Sequence, residues 1–328
     1  MSQNLTATAS APANIAFIKY WGKKNKKLRL PTNNSISMNL SGAQTMTTVD
    51  FSPEYDSDQL TINGYQANER ELQRVSSFLE KIRQLAKIKY FARVDSENTF
   101  PKGAGIASSA SSFAALSLAA TAALGLKLSE KELSQLARLG SGSACRSIPD
   151  GFVEWVTADT QQKSFAHSLY PADYWKIADL VVIVTHPEKD VSSSMGHDVA
   201  PSSPFFQTRL EQYLPEATNI LKSALKEKNF SIFGQIIEAE TINFHAIALT
   251  SQPSIMYWNA NTITVMQKVK ELRESGLEVY FTIDAGPNLH LIVEQTNIER
   301  LKQELEKLKD IKQIIVSYPD NGARLISK

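Results

Sequence analysis

Apolar positions change period several times along the chain, and each change marks an element. Within residues 69–85, Leu72, Val75, Leu79 and Ile82 fall at helical spacing. Residues 45–51 alternate as a half-buried strand does, and Asn63-Gly64 between Leu60 and Tyr65 is a hairpin-type turn. Residues 14–20 read as a strand opening into the turn Trp21-Gly22-Lys23, and residues 89–95 as another strand. An Ala-rich helix is expected over 108–124, and a second over 131–139, announced by Ser129 with Glu132 three residues on. Residues 152–157 and the continuous apolar run 180–184 read as strands, the latter buried. Residues 204–247 are nearly all helical in pattern, with breaks expected near Pro215 and Asn229, and a further helix covers 260–275. The remainder reads strand (277–284), strand (289–293), helix (297–309), strand (311–317). Strands and helices mix without strict βαβ alternation, which indicates the α+β class. A polar, Ser-rich stretch near Pro187 suggests two domains, residues 1–186 and 187–328.

Composition narrows the function classes. Of 328 residues, 42% are apolar and 21% charged, and 35 Lys and Arg nearly cancel 34 Asp and Glu. The near-neutral balance argues against nucleic acid or an anionic membrane as the main partner. The single cysteine, Cys145, excludes an intrachain disulfide. Neither a signal-peptide pattern in residues 1–13 nor an 18-residue apolar run is present, so a soluble, cytoplasmic protein is expected.

Four stretches carry candidate chemistry. In Pro101-Lys-Gly-Ala-Gly-Ile-Ala-Ser-Ser-Ala110 the glycines let backbone N–H groups approach an anion, and Ser108 and Ser109 open a helix whose N-terminus favours negative charge. The spacing is neither that of a Walker loop nor that of the dinucleotide fingerprint, and an ordinary N-capped helix has the same local pattern. Residues 11–23 end in Lys19, Tyr20 and Lys23, which suit phosphate recognition but also a solvated basic edge continued by Lys24, Lys26 and Lys27. Gly140-Ser-Gly-Ser-Ala-Cys-Arg-Ser147 presents Arg146 from a small-residue loop, a geometry suited to gripping a carboxylate, with Ser141 and Ser143 as neutral donors beside it. Phe281-Thr-Ile-Asp-Ala-Gly-Pro-Asn288 places Asp284 at a strand end before a turn. Cys145 reads as a packed residue rather than a nucleophile, and His245 as a packed helix histidine.

Taken together these stretches resemble the diphosphomevalonate decarboxylases of the GHMP kinase superfamily. The loop Gly105-Ile-Ala-Ser-Ser-Ala110 is similar to the superfamily's phosphate motif in the form of the decarboxylase branch, and the octet at 140–147 is the most specific match. Asn243-Phe-His-Ala246 with Pro253 and Tyr257, and Val191-Ser-Ser-Ser-Met-Gly196, are weaker matches; Ile247, Ala248 and Thr250 depart from the pattern. The glycine-rich third motif of the kinases proper is missing at 281–288, which argues against a simple kinase.

The resemblance implies a GHMP-kinase fold: an N-terminal part like ribosomal protein S5, a ferredoxin-like C-terminal part with an added helical block, and an active site in the cleft between them. It implies ATP-dependent decarboxylation of a small-molecule substrate, with ATP as co-substrate and Mg2+. Asp284 would be the base at the 3-hydroxyl, Lys19 its charge partner, and Arg146 the carboxylate clamp. Tyr20, Lys23, Ser141, Ser143, Ser192 and Ser193 would hold substrate. Lys102, Gly103, Gly105, Ala107, Ser108 and Ser109 would hold ATP, with Ser108 on the metal. A homodimer is implied as well. Phosphomevalonate decarboxylase and mevalonate 3-kinase are same-fold alternatives, and a non-catalytic nucleotide-binding protein is a third.

Overall fold

Residues 6–11 alternate Thr or Ser with Ala, and in the computed structural model, which describes residues 5–100, 108–185 and 192–328, they form the start of the first strand. The strands are β1 (Thr6–Ile18), β2 (Lys23–Asn25), β3 (Leu30–Pro31), β4 (Ser35–Ser52), β5 (Gln59–Ile62), β6 (Tyr65–Gln66) and β7 (Phe91–Asn98). They continue with β8 (Phe152–Trp155), β9 (Ala166–Tyr170), β10 (Ile177–Ile183), β11 (Val279–Thr282), β12 (Leu289–Glu294), β13 (Gln313–Ser317) and β14 (Arg324–Ser327). The α-helices are α1 (Glu69–Ala86), α2 (Ser108–Ala123), α3 (Glu130–Gly140), α4 (Ser193–Val199) and α5 (Phe206–Thr208). Four more follow: α6 (Leu214–Glu227), α7 (Phe230–Thr250), α8 (Ala260–Glu274) and α9 (Ile298–Leu305).

The first sheet is built on β4. β1 runs antiparallel along its length from Thr6↔Asp50 to Ile18↔Ile36, β7 takes the far half of its other edge, and β8 takes the near half. Ala7, Ala9 and Ala11 turn inward and are no more than 1% exposed. Their small size lets the Ala-rich α2 lie close across β1 and β4. Asn63 and Gly64 both take positive φ, as a two-residue hairpin turn between β5 and β6 requires. α3 begins with the expected capping box of Ser129 and Glu132.

The second sheet has the order β11-β12-β10-β13. One face packs on α8 and α9. The other joins α6, α7 and residues of β1, β4 and β8 in a core shared with the first sheet. The chain then returns: Ser41 N–H donates to Tyr318 O (3.0 Å), Leu40 bridges Pro319, and β14 pairs with β1. The sequence boundary at 186/187 thus falls just after β10, whose partners β12 and β13 lie beyond it, while β14 belongs to the first sheet.

Near Pro215 the helical block changes type rather than direction: α6 starts at Leu214, directly after a π-turn. Pro215 sits in the first turn of α6, and the π-turn at Arg209–Tyr213 just before it loosens the helix where the proline cannot donate an N–H. The break at Asn229 is present: Lys228 is left-handed and the Asn229 side chain caps α7.

Candidate active site

β1 ends where the two sheets meet, and Lys19 is the next residue. Its backbone N–H donates to Glu240 Oε1 on α7 (2.9 Å). Its Nζ donates to Ala16 O (2.7 Å) and to Asp284 Oδ1 (2.6 Å). Asp284 lies two residues past β11, in a turn closed by Gly286 N–H on Asp284 O (2.8 Å). The Lys19 side chain is 3% exposed and that of Asp284 25%, so the pair is sealed on the ammonium side and open on the carboxylate side. Burial acts on Asp284 to raise its pKa, but Lys19, His290 and Arg146 outweigh it and hold the carboxyl below its ordinary value. Burial lowers the pKa of Lys19, against Asp284 and Glu240, which favour its charge. A 2.6 Å contact between these groups is that of an ion pair.

Arg146 comes from the 3-10 turn Gly142–Ser147 after α3 and is 3% exposed. Its Nε and Nη2 donate to Asn14 Oδ1 (3.2 and 2.9 Å) and its Nη1 to Ser35 Oγ (2.9 Å). All these acceptors are neutral, and no carboxylate among the described residues pairs with it directly. Asn14 is held in turn, its Nδ2 donating to Ser147 Oγ (2.8 Å) and Ser143 O (3.2 Å). A buried guanidinium without a counter-charge is costly unless an anion arrives to meet it.

The small-residue loop also gathers hydroxyls. Ser141 Oγ is 3.0 Å from Ser109 Oγ, at the start of α2, and 3.4 Å from Ser143 Oγ. The start of α2 and the small-residue loop therefore touch. Gly142 is required by closeness, because a Cβ there would lie 2.5 Å from the Tyr20 ring. Tyr20 packs on Trp155 and His197, and its buried hydroxyl has no partner among the described residues; burial raises its pKa. Lys23 reaches Asp198 Oδ1 (3.1 Å) and the backbone and side-chain oxygens of Ser194 (both 3.5 Å). Ser192 caps α4 and the exposed Ser193 is its first residue, so Ser194 rather than either of these stands beside Lys23. Ser108 and Ser109 open the sixteen-residue α2, with no acidic side chain in its first turn. Lys102, Gly103, Gly105 and Ala107 lie outside the described residues.

Several site residues carried no distinctive sequence signal. Asn14 and Ser35 hold Arg146, Glu240 holds Lys19, and Asp198 holds Lys23. His197 accepts from Gly22 N–H at Nδ1 (3.0 Å) between the rings of Tyr20 and Trp21. The one available clue was a polar residue at an inward position, as Asn14 is on β1. Cys145 is fully buried, its thiol pushed up to about 12 by burial, and His245 is packed against Phe244, Tyr257 and Trp258. Both behave as packed residues.

Among the described residues no cluster of three His, Cys, Asp or Glu could hold a metal ion. The arrangement is a cation-rich, hydroxyl-lined cleft with an ionised carboxylate, Asp284, at its centre, fitted to anionic substrates.

Comparison with known proteins places the chain in a family. The family described as diphosphomevalonate decarboxylase-like N-terminal domain matches residues 11–166, and that described as mevalonate 5-diphosphate decarboxylase C-terminal domain matches residues 179–323. The diphosphomevalonate decarboxylase of Candida albicans is 34% identical over 92% of this chain and 88% of its own. The mevalonate diphosphate decarboxylase of Enterococcus faecalis, in a structure concerning ATP binding mediated by mevalonate diphosphate, is 39% identical with a TM-score of 0.92 over 98% of this chain and 99% of that one. A solved complex with MVAPP, AMPPCP and magnesium is 40% identical with a TM-score of 0.94, again over 98% and 99%. On the fold, the cleft and these matches, the chain belongs to the diphosphomevalonate decarboxylase family.

Proposed function

We propose that this chain converts mevalonate 5-diphosphate and ATP to isopentenyl diphosphate, ADP, phosphate and CO2. The observation that carries this reading is the 2.6 Å Lys19–Asp284 pair at the sheet junction, within electrostatic reach of the buried Arg146 guanidinium. The related complexes with MVAPP or mevalonate diphosphate and a nucleotide support it.

The substrate has a tertiary 3-hydroxyl β to a carboxylate and no carbonyl to accept the electron pair that CO2 would leave behind. Phosphorylating the hydroxyl solves this by making it a leaving group. Asp284, ionised and open to the cleft, takes the hydroxyl proton as the oxygen attacks the γ-phosphorus of ATP. Lys19 meets charge developing on the transferred group. The C3–O bond then breaks as phosphate leaves, the C–C bond to the carboxylate supplies the alkene electrons, and CO2 departs. Arg146 has N–H groups left over for that carboxylate and holds it in line while Asn14 and Ser35 hold the guanidinium. Tyr20, Lys23 and Ser192 or Ser193 bind the 5-diphosphate, with Ser141 and Ser143 beside them. Ser108 and Ser109, with Lys102, Gly103, Gly105 and Ala107, bind the nucleotide. Mg2+, when bound, would neutralise phosphate charge, and Ser108 would be its protein ligand.

By resemblance to the family we also assign a cytoplasmic homodimer of two units, the N-terminal one carrying the nucleotide site; light scattering checks the stoichiometry. The function itself is tested by incubating the protein with ATP, Mg2+ and, separately, mevalonate, its 5-phosphate and its 5-diphosphate. One CO2 per ADP with the diphosphate alone is expected. The same ratio with the monophosphate changes the substrate, and ADP without CO2 makes the protein a kinase. Asp284→Asn should abolish turnover while the nucleotide still binds; near-normal turnover would remove Asp284 from its role.

A further inference from the structure

The turn Trp21-Gly22-Lys23 follows the end of β1 and is flanked by the two side chains assigned to the 5-diphosphate, Tyr20 just before it and Lys23 as its last residue. Three consecutive residues of α4 are seated on it. Gly196 lies so close to Trp21 that a Cβ there would be 2.3 Å from the indole ring and 2.7 Å from the Tyr257 hydroxyl. His197 enters between Tyr20 and Trp21, whose ring centroids are 4.1 and 4.6 Å from its own, and its Nδ1 accepts the Gly22 N–H (3.0 Å). Asp198 takes the Lys23 ammonium (3.1 Å).

The bond to Gly22 fixes the state of the ring. A backbone N–H only donates, so Nδ1 presents its lone pair, and the imidazole is neutral with its proton on Nε2. Burial and then the surrounding cations Lys23, Arg29 and Arg146 act in the same sense, holding the His197 pKa well below its ordinary value. Packing alone does not call for a histidine here. A phenylalanine would fill the space between the two aromatic rings, but it would take the Nδ1 acceptor from the N–H of Gly22, a buried residue at φ 92°.

We propose that His197 is a positioning residue for the substrate: as a neutral acceptor it holds the Gly22 amide, and with it the turn that presents Tyr20 and Lys23 to the 5-diphosphate. This rests on the reading of Tyr20 and Lys23 as ligands of that group. The two α4 contacts differ in what an arriving polyanion does to them. Phosphate oxygens compete with the half-exposed Asp198 for Lys23, whereas the uncharged Gly22–His197 bond offers them no charge to capture and keeps the turn in place while Lys23 changes partner.

The test compares three substitutions. His197→Asn keeps an acceptor near the place of Nδ1, His197→Gln moves the amide outward to the place of Nε2, and His197→Phe keeps a ring and removes the acceptor. For each, the Kd of mevalonate 5-diphosphate is measured by titration calorimetry without nucleotide, and kcat and KM in the coupled assay with ATP. His197→Phe and His197→Gln are expected to weaken diphosphate binding by roughly five- to tenfold, as loss of one hydrogen bond implies, with KM for ATP and kcat at saturation within about twofold of the wild type. His197→Asn should bind within about twofold of the wild type. If His197→Phe does not fold, the Asn and Gln variants decide the matter between them. Equal diphosphate affinity in those two overturns the inference, as does a folded His197→Phe that binds like the wild type or a KM for ATP that rises in step. A wild-type protein that neither binds nor turns over mevalonate 5-diphosphate would instead overturn the assigned substrate.

Discussion

Arg146 has five N–H groups, and Asn14 and Ser35 take three of them, two on one oxygen. Two N–H groups are left, one on each terminal nitrogen, in the planar fork that matches a carboxylate. A lysine has no fixed plane and cannot satisfy Asn14, Ser35 and a substrate carboxylate together. Arg146→Lys should therefore lose one or two charged hydrogen bonds, about 1.5–3 kcal/mol each, and lower kcat/KM by roughly 10- to 150-fold or more in steady-state assays. His245 gives a prediction of a different kind. Burial holds its pKa down to about 3, against an ordinary 6.5. Between those values the unfolded chain binds a proton that the native chain does not, so stability rises with pH. The contribution is complete above about pH 6.5 and is lost toward pH 3 at up to about 1.4 kcal/mol per unit. His197, also lowered by burial, acts in the same direction. Urea melts at pH 7.5 and 5.5 should show a smaller loss for His245→Phe, which keeps a ring against Trp258, than for the wild type.

At the scale of elements, α7 does more than cover the second sheet. Its Glu240 is fully buried, takes both terminal nitrogens of Arg209, and accepts the backbone N–H of Lys19. One carboxylate thus ties the helical block to the end of β1, where the site begins. Glu240→Ala leaves Arg209 buried and without its counter-charge, which should cost about 3–5 kcal/mol in urea denaturation and weaken turnover through Lys19. The sequence pattern placed α7 correctly, since Phe230, Phe233, Ile237, Phe244 and Ile247 repeat at helical spacing, but could not single out Glu240 among the charged positions. Strands were legible in proportion to side-chain size. β10, a run of branched residues, was plain, whereas the first half of β1 buries only alanines and carries no hydrophobic signal strong enough to read. β14 is exposed throughout and is a strand only because β1 offers it an edge. The candidate residues that sequence picked out, Lys19, Arg146 and Asp284, stand at or beside turns; their buried partners Asn14, Ser35 and Glu240, which it did not pick out, sit inside regular elements where only tertiary contacts distinguish them.

The cleft exists because two sheets share a core, and that sharing governs how the whole molecule unfolds. Ile15, Phe17, Ile36, Met38 and Phe152 from the first sheet and Val181, Ile183, Tyr280 and Ile292 from the second belong to one buried cluster with Leu221, Phe233 and Ile237. The backbone crosses the junction twice more, through Asp320 N–H on Asn39 O (3.1 Å) and Gly151 N–H on Asp320 O (2.9 Å), before β14 pairs with β1. A fragment ending near residue 172 would expose the apolar side chains of β1, β4 and β8 that the second sheet and α7 now cover, and would lack β14. At roughly 1.5–3 kcal/mol for each large side chain uncovered, that loss exceeds the few kcal/mol by which a domain of this size is ordinarily stable. The molecule should therefore melt as one cooperative unit despite its two sheets. Differential scanning calorimetry is expected to show a single transition whose calorimetric and van't Hoff enthalpies agree, and residues 1–172 expressed alone should lack a cooperative melt. Two resolved transitions would mean that the junction yields before either sheet does. The 2.6 Å Lys19–Asp284 contact, which bridges the sheets, would then be lost in the first of them, and activity would disappear at that lower temperature.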